Sequence, residues 1–164
     1  MIAPFLTTLL EKIADLAIDK WKSAKEFQQM QSVAYERISR ELFWNAECLS
    51  RADDNKNIGY LGLIRTQSFD ELVLTGIPMD ALFSQTISFA DDLNGNDYPA
   101  LSKQYVRRLQ DINSLSMLID RTYHRLWMLQ KRCDLNLPKG DIPYARSLVR
   151  MTNSFVTNQR KKGM

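Results

Sequence analysis

Histidine and cysteine are scarce in this chain of 164 residues, which has one histidine, His124, and two cysteines, Cys48 and Cys133. A catalytic Ser or Cys needs a histidine beside it, and zinc needs several His or Cys ligands in short pairs. His124 and Cys133 are nine residues apart, which places them on different faces of one predicted helix. We find no catalytic, cofactor-binding or metal-binding constellation, and we expect a protein that is not an enzyme and has no cofactor.

Glycine and proline are also few, at 6 and 5 residues, which excludes collagen-like and low-complexity chains. The first eighteen residues are largely apolar, but Glu11, Lys12 and Asp15 interrupt them. These charges exclude the unbroken apolar core of a signal peptide and a membrane-spanning helix. We therefore expect a soluble, cytoplasmic protein whose residues 1–164 form a single helical domain, and a membrane partner is disfavoured.

A helical period begins near Pro4 and continues to Ala52, with one member of a mostly apolar stripe at every third or fourth position. Its mean step is close to the coiled-coil value of about 3.5 residues, and no Gly or Pro occurs in residues 5–52. The pattern predicts one helix over about 4–52. Residues 1–22 are a candidate projecting arm that binds a partner, unless the rest of the bundle covers it. The apolar residues of this arm are Phe5, Leu6, Leu9, Ile13 and Leu16.

Shorter helical segments follow the first helix. The segment 58–66 is a weak helix candidate because it contains Gly59 and Gly62. Ser68 and Glu71 have the spacing of a capping box, which predicts a helix that ends before Gly76. Pro78 is expected to open a further helix that runs to about residue 93.

Two helix starts in the second half combine a capping aspartate with an early proline. Asp97 precedes Pro99, and Asp141 precedes Pro143. They predict helices over 98–134 and from 142 to about 160, with residues 161–164 frayed. The sequence therefore predicts an all-α, up-down-up-down four-helix-type bundle with a very long N-terminal helix and a second leg broken into short helices.

Charge is divided unevenly along the chain. Residues 1–98 contain 9 basic and 15 acidic side chains, whereas residues 99–164 contain 13 basic and 4 acidic ones. On a helical wheel of the predicted 98–134 helix, a basic face lies opposite the apolar face. The basic face consists of Arg107, Arg121, His124, Arg125 and Arg132.

This basic face has three interpretations. It is a solvated face that pairs with Glu36, Glu41 and Glu47 of the first helix, a contact surface for an acidic protein, or a phosphate-binding surface for nucleic acid. The aromatic residues, Trp44 and Trp127 among them, follow the helical patterns of core positions, which argues against a stacking platform for bases.

We expect a non-catalytic helical interaction or assembly module. It would bind a partner protein, or itself as a homo-oligomer, through the long N-terminal helix and the basic face. The alternative is a nucleic-acid-binding protein that uses the basic face and the C-terminal tail. A small-molecule substrate is disfavoured, and the sequence identifies no specific partner.

Overall fold

The computed structural model describes residues 24–54, 57–87, 89, 105, 107–137 and 140–162. In chain order the helices are α1 Lys25–Asp54, α2 Gln67–Leu74, α3 Met79–Leu82, α4 Leu115–Asp134 and α5 Ile142–Lys162. Two short 3-10 helices span Ile58–Leu63 and Arg107–Leu109. The described part of the chain has no β-strand, and Thr86 and Ser114 form only an isolated antiparallel bridge. The all-α class is confirmed, whereas the up-down-up-down order of a bundle stays a prediction.

The apolar stripe of α1 is the inward face of the longest described helix. Phe27, Ala34, Ile38, Leu42 and Leu49 are all buried, as the helical period predicts. This face packs mainly against α5. The helix ends at Asp54, two residues after the predicted end. Residues 1–23 lie outside the described residues, so the predicted arm with Phe5, Leu6, Leu9, Ile13 and Leu16 stays a prediction.

Helix α2 begins at Gln67, two residues before the predicted start, and the predicted capping box is wrong. The Ser68 backbone N–H donates to Oε2 of Glu41 on α1 at 2.9 Å, and Glu71 forms a salt bridge with Arg37 at 2.5 Å. The N-cap residue, Thr66, makes no side-chain capping bond. A buried carboxylate from another helix therefore supplies the acceptor that the first turn of α2 needs.

The helix predicted over residues 78–93 is interrupted after its first turn, because α3 ends at Leu82 and residues 83–87 are not helical. Residue 89 is helical, and residues 88 and 90–93 lie outside the described residues. The following backbone pairs with a distant segment instead. The Ile87 N–H donates to the Asn113 carbonyl at 3.0 Å, and the Leu115 N–H donates to the Gln85 carbonyl at 2.9 Å. These bonds use the Ile87 N–H and the Gln85 carbonyl, which a continued α3 would pair within the helix, so the helix ends.

The predicted helix over 98–134 is also interrupted, because residues 107–114 form a 3-10 helix, a turn and a loop. Helix α4 begins only at Leu115, and the extended Ser114 caps it by accepting from the Met117 N–H at 3.3 Å. Before it, Leu109 and Ile112 are buried from a 3-10 turn and a loop. Their spacing of three residues suits a 3-10 turn as well as an α-helix, which is why the helical period looks continuous in the sequence.

The start of α5 confirms the predicted cap at Asp141. The Tyr144 N–H donates to Oδ1 of Asp141 at 3.1 Å, and Pro143 lies in the first turn, where no N–H is required. Helix α5 packs against both α1 and α4, and the hydroxyls of Thr122 and Thr152 lie 2.8 Å apart in the buried contact between α4 and α5. The helix extends to Lys162, two residues beyond the predicted end.

Charge pairing between the acidic and basic halves uses other residues than the predicted ones. Glu36 and Glu47 form salt bridges with arginines of their own helix, α1. The contact between α1 and α5 is instead bridged by Arg146, whose guanidinium lies 3.3 Å from Asp53 and 3.4 Å from Asp54. The ion pair between the two halves therefore lies at the C-terminal end of α1, away from the predicted basic face.

Candidate interaction surface on α4

Helix α4 has one face in the core and one in solvent. Its inward face packs against α5, α3 and the first 3-10 helix, and residues such as Leu118, Leu126 and Leu129 are fully buried. Tyr123 lies on the same side and stacks on Phe69 of α2 with ring centroids 4.6 Å apart. Burial raises the pKa of the Tyr123 phenol well above its usual range, and the nearby Glu41 carboxylate raises it further. This packing fixes the direction in which the opposite face points.

The outer face of α4 exposes large apolar and aromatic side chains. Trp127 is 45% exposed and Met117 is 41% exposed, and Met128 lies one position from Trp127 with a similar exposure. His124 is exposed as well, and its ring lies roughly parallel to that of Trp127, with centroids 6.4 Å apart and planes 26° apart. We call this set the outer face. It consists of Met117, Asp120, His124, Trp127, Met128 and Lys131.

Arginines flank the outer face on one side, but they are turned towards neighbouring elements. Arg121 donates to Asp111 at 2.8 Å, and the Arg125 guanidinium lies over the Tyr144 ring at 5.6 Å from the centroid. Arg132 is half-buried. Arg121, His124, Arg125 and Arg132 of the predicted basic face share α4, and Arg121 and Arg125 contact other groups of the chain. Their role in binding stays a prediction.

Arg107 does not belong to this helix face, which corrects the sequence-based assignment. It lies exposed in the 3-10 helix before α4 because the predicted long helix is interrupted there. Its neighbour Arg108 forms a salt bridge with Asp141 at 3.1 Å and lies over the rings of Tyr105 and Tyr144. These contacts join the 3-10 helix to the start of α5.

Tyr144 lies at the centre of this arginine cluster. Burial raises the pKa of its phenol, while the positive charges of Arg121, Arg108 and Arg125 counteract part of that shift. The Nε of Arg125 is buried and has no hydrogen-bond partner among the described residues. The cluster therefore ties α4 to α5 by stacking and charge, and it borders the outer face.

Trp44 and Trp127 are the residues that sequence reasoning placed wrongly. Both were assigned to the core, yet Trp44 is 39% exposed and Trp127 is 45% exposed. Trp44 donates its Nε1–H to the Leu63 carbonyl at 2.9 Å, and the Arg65 guanidinium lies 4.4 Å from the centre of its ring. The available signal was the helical wheel of α4, on which Trp127 lies with Asp120 and Lys131 rather than with Leu126.

The described residues contain no group of three His, Cys, Asp or Glu side chains placed to hold a metal ion. No described helix has both the length and the apolar character that crossing a membrane requires. Comparisons with family models, with curated proteins and with solved structures give no match for this chain.

Proposed function

We propose that this protein is a non-catalytic interaction module that binds a protein partner through the outer face of α4. The observation that supports this proposal is the exposure of Met117, Trp127 and Met128 on one face of a helix whose other face is fully packed. Clusters of exposed apolar groups on a folded protein commonly mark contact sites, whereas single ones need no explanation. Trp127 and Met128 are adjacent, and Met117 lies about three turns before them on the same helix.

The residue types on this face favour a protein partner. Aromatic residues and methionine are enriched in the centres of protein interfaces, and methionine adapts its shape to different contacts. Arg121 and Arg125 lie beside these apolar groups, already oriented by Asp111 and Tyr144. Such preordered charges suit an interface rim, because little side-chain entropy is lost when they meet an acidic group.

Site-specific photo-cross-linking in the cells that make the protein tests this proposal. We expect a photoreactive amino acid at position 128 to give a discrete cross-linked adduct, and the same amino acid at position 154 to give none. Ser154 is the matched control because it is an exposed residue of α5. The adduct at position 128 should disappear in a Trp127→Ala background. Equal labelling from both positions, or none from position 128, would contradict the proposal.

Nucleic-acid binding is a second candidate, and the exposed Trp44 with Arg65 over its ring favours it. An exposed ring beside a guanidinium is a group on which an unpaired base can stack. Binding of a fluorescent single-stranded oligonucleotide should then weaken steeply as salt increases, and Arg65→Ala should reduce it at every salt concentration. The absence of binding at low salt would remove this candidate.

A further inference from the structure

Four residues form a straight seam along the middle of the outer face of α4. Asp120, His124, Trp127 and Lys131 are spaced by four, three and four residues, so they fall within about 60° of one another on the helical wheel. All four are exposed. The seam has an acidic residue at its N-terminal end, two rings in its centre and a basic residue at its C-terminal end.

This order is self-complementary when the helix meets a reversed copy of itself. We infer that the partner that docks on α4 is a second copy of this chain, with the two α4 helices antiparallel across a twofold axis. The inference rests on the proposed function and names its partner. A twofold axis between the levels of residues 125 and 126 places Asp120 opposite Lys131 of the second copy. It also places His124 opposite Trp127 of the second copy, and each contact then occurs twice.

The charges of the seam favour an antiparallel arrangement of two copies over a parallel one. Asp120 has no salt bridge among the described residues, and Lys131 has only an exposed one at 3.4 Å to Asp134 in the next turn of its own helix. A partner helix that is parallel would place like ends together, Asp120 beside Asp120 and Lys131 beside Lys131. Only the antiparallel arrangement pairs opposite charges at both ends, and like charges facing each other would oppose the parallel form.

The rings in the centre of the seam add a stacking contribution. His124 and Trp127 already lie roughly parallel within one chain. In the antiparallel pair the two rings of each copy contact the two rings of the other. Met117 and Met128 lie along one side of the seam and add apolar contact area there. One face of a helix about 30 Å long is smaller than a standard interface, so we expect a weak dimer.

A charge-swap experiment tests both the dimer and its register. Sedimentation is measured on the full chain at up to about 1 mM, a range that detects weak association. Asp120→Lys alone places Lys opposite Lys131, and Lys131→Asp alone places Asp opposite Asp120. Each variant should dissociate at least ten times more readily than the unchanged chain. An equimolar mixture of the two variants should recover the dimer, because both cross-chain pairs then again have opposite charges.

The controls change charge by the same amount at a distant surface. Glu26→Lys and Lys25→Asp alter exposed residues at the start of α1, and both should leave the dimer unchanged. Circular dichroism and thermal unfolding should report intact folding for all four variants. Recovery in the mixture also excludes misfolding as the reason for the loss in the single variants.

Each other outcome overturns the inference. A strictly monomeric unchanged chain removes the dimer, and a dimer that survives both single substitutions uses another surface. A mixture that stays monomeric removes the antiparallel register. The proposed function fails separately, because a cross-link from position 128 to a different protein would support an interaction module while removing the second copy as its partner.

Discussion

Gly140 lies at a close contact between the loop before α5 and helix α4. A Cβ atom on this residue would be 2.5 Å from Cδ2 of Leu129, which is almost completely buried. We predict that Gly140→Ala lowers the free energy of unfolding by about 1–3 kcal/mol through overpacking. A gain of about 0.4–1 kcal/mol from the less flexible unfolded chain offsets part of this loss.

Gly62→Ala is the matched control for this substitution. A Cβ atom at Gly62 would meet no atom within 4 Å, and the residue is exposed in the first 3-10 helix. Urea unfolding should give this variant a free energy of unfolding that is up to about 1 kcal/mol higher than that of the unchanged protein, because only the gain from the less flexible unfolded chain remains. If Gly140→Ala is as stable as Gly62→Ala, Leu129 moves aside without a cost in free energy, and the steric explanation is wrong.

At the scale of the single element, the start of α2 depends on Glu41 rather than on its own sequence. Glu41 is buried in α1, and its Oε2 accepts the Ser68 backbone N–H at 2.9 Å. We predict that Glu41→Ala lowers the free energy of unfolding by about 1–3 kcal/mol, because the half-buried Ser68 N–H loses its hydrogen bond to a charged acceptor.

Ser68→Ala distinguishes this contact from the capping box that the sequence suggests. We expect a change of less than about 0.5 kcal/mol, whereas a capping hydroxyl would be worth about 1 kcal/mol. Chemical denaturation of both variants measures the difference. A larger loss from Ser68→Ala than from Glu41→Ala would restore the capping box.

Predictions from the sequence are correct where a structural element depends on nearby residues and wrong where it depends on distant ones. The cap at Asp141 and the buried stripe of α1 are set by residues within a few positions of one another, and both predictions are confirmed. The first turn of α2 depends on the distant Glu41, and the break before α4 depends on the pairing of residues 85–87 with residues 113–115, although Ser114 caps α4 locally. No local pattern encodes such contacts, so the predicted cap and the predicted 98–134 helix are wrong there.

The candidate surface was predictable only in part, for a related reason. His124, Arg121 and Arg125 stand out in the sequence as polar residues opposite an apolar face, and they do share one side of α4. Trp127 has the character of a core residue, although the helical wheel places it beside Asp120 and Lys131. The inward packing of Leu126 and Tyr123 shows that it points outward. The hydrogen bond between Arg121 and Asp111 was not predictable, because Asp111 lies in the loop before α4, a segment that the sequence predicts as helix.

At the scale of the whole molecule, three phenols lie in contacts between different parts of the fold. Tyr35 of α1 lies against Phe83, Tyr123 of α4 stacks on Phe69, and Tyr144 of α5 contacts Tyr105. Burial raises the pKa of all three, and it raises the pKa of Tyr35 from 10.0 to about 12. The ionisation of these groups is therefore linked to the free energy of unfolding of the protein.

The sign of this linkage predicts alkaline instability. Above pH 10 the unfolded chain has lost phenolic protons that the folded chain still binds, so the free energy of unfolding falls as pH rises. Below pH 10 the contribution is fully present.

Replacing Tyr35 with Phe removes one ionising group while keeping the ring against Phe83. Tyr35→Phe should therefore flatten the decline of the free energy of unfolding with pH. Between pH 9 and pH 11 the variant should lose about 1 kcal/mol less than the unchanged protein. Urea unfolding at successive pH values measures this difference, and parallel curves for the two proteins would mean that the Tyr35 phenol ionises equally in both states.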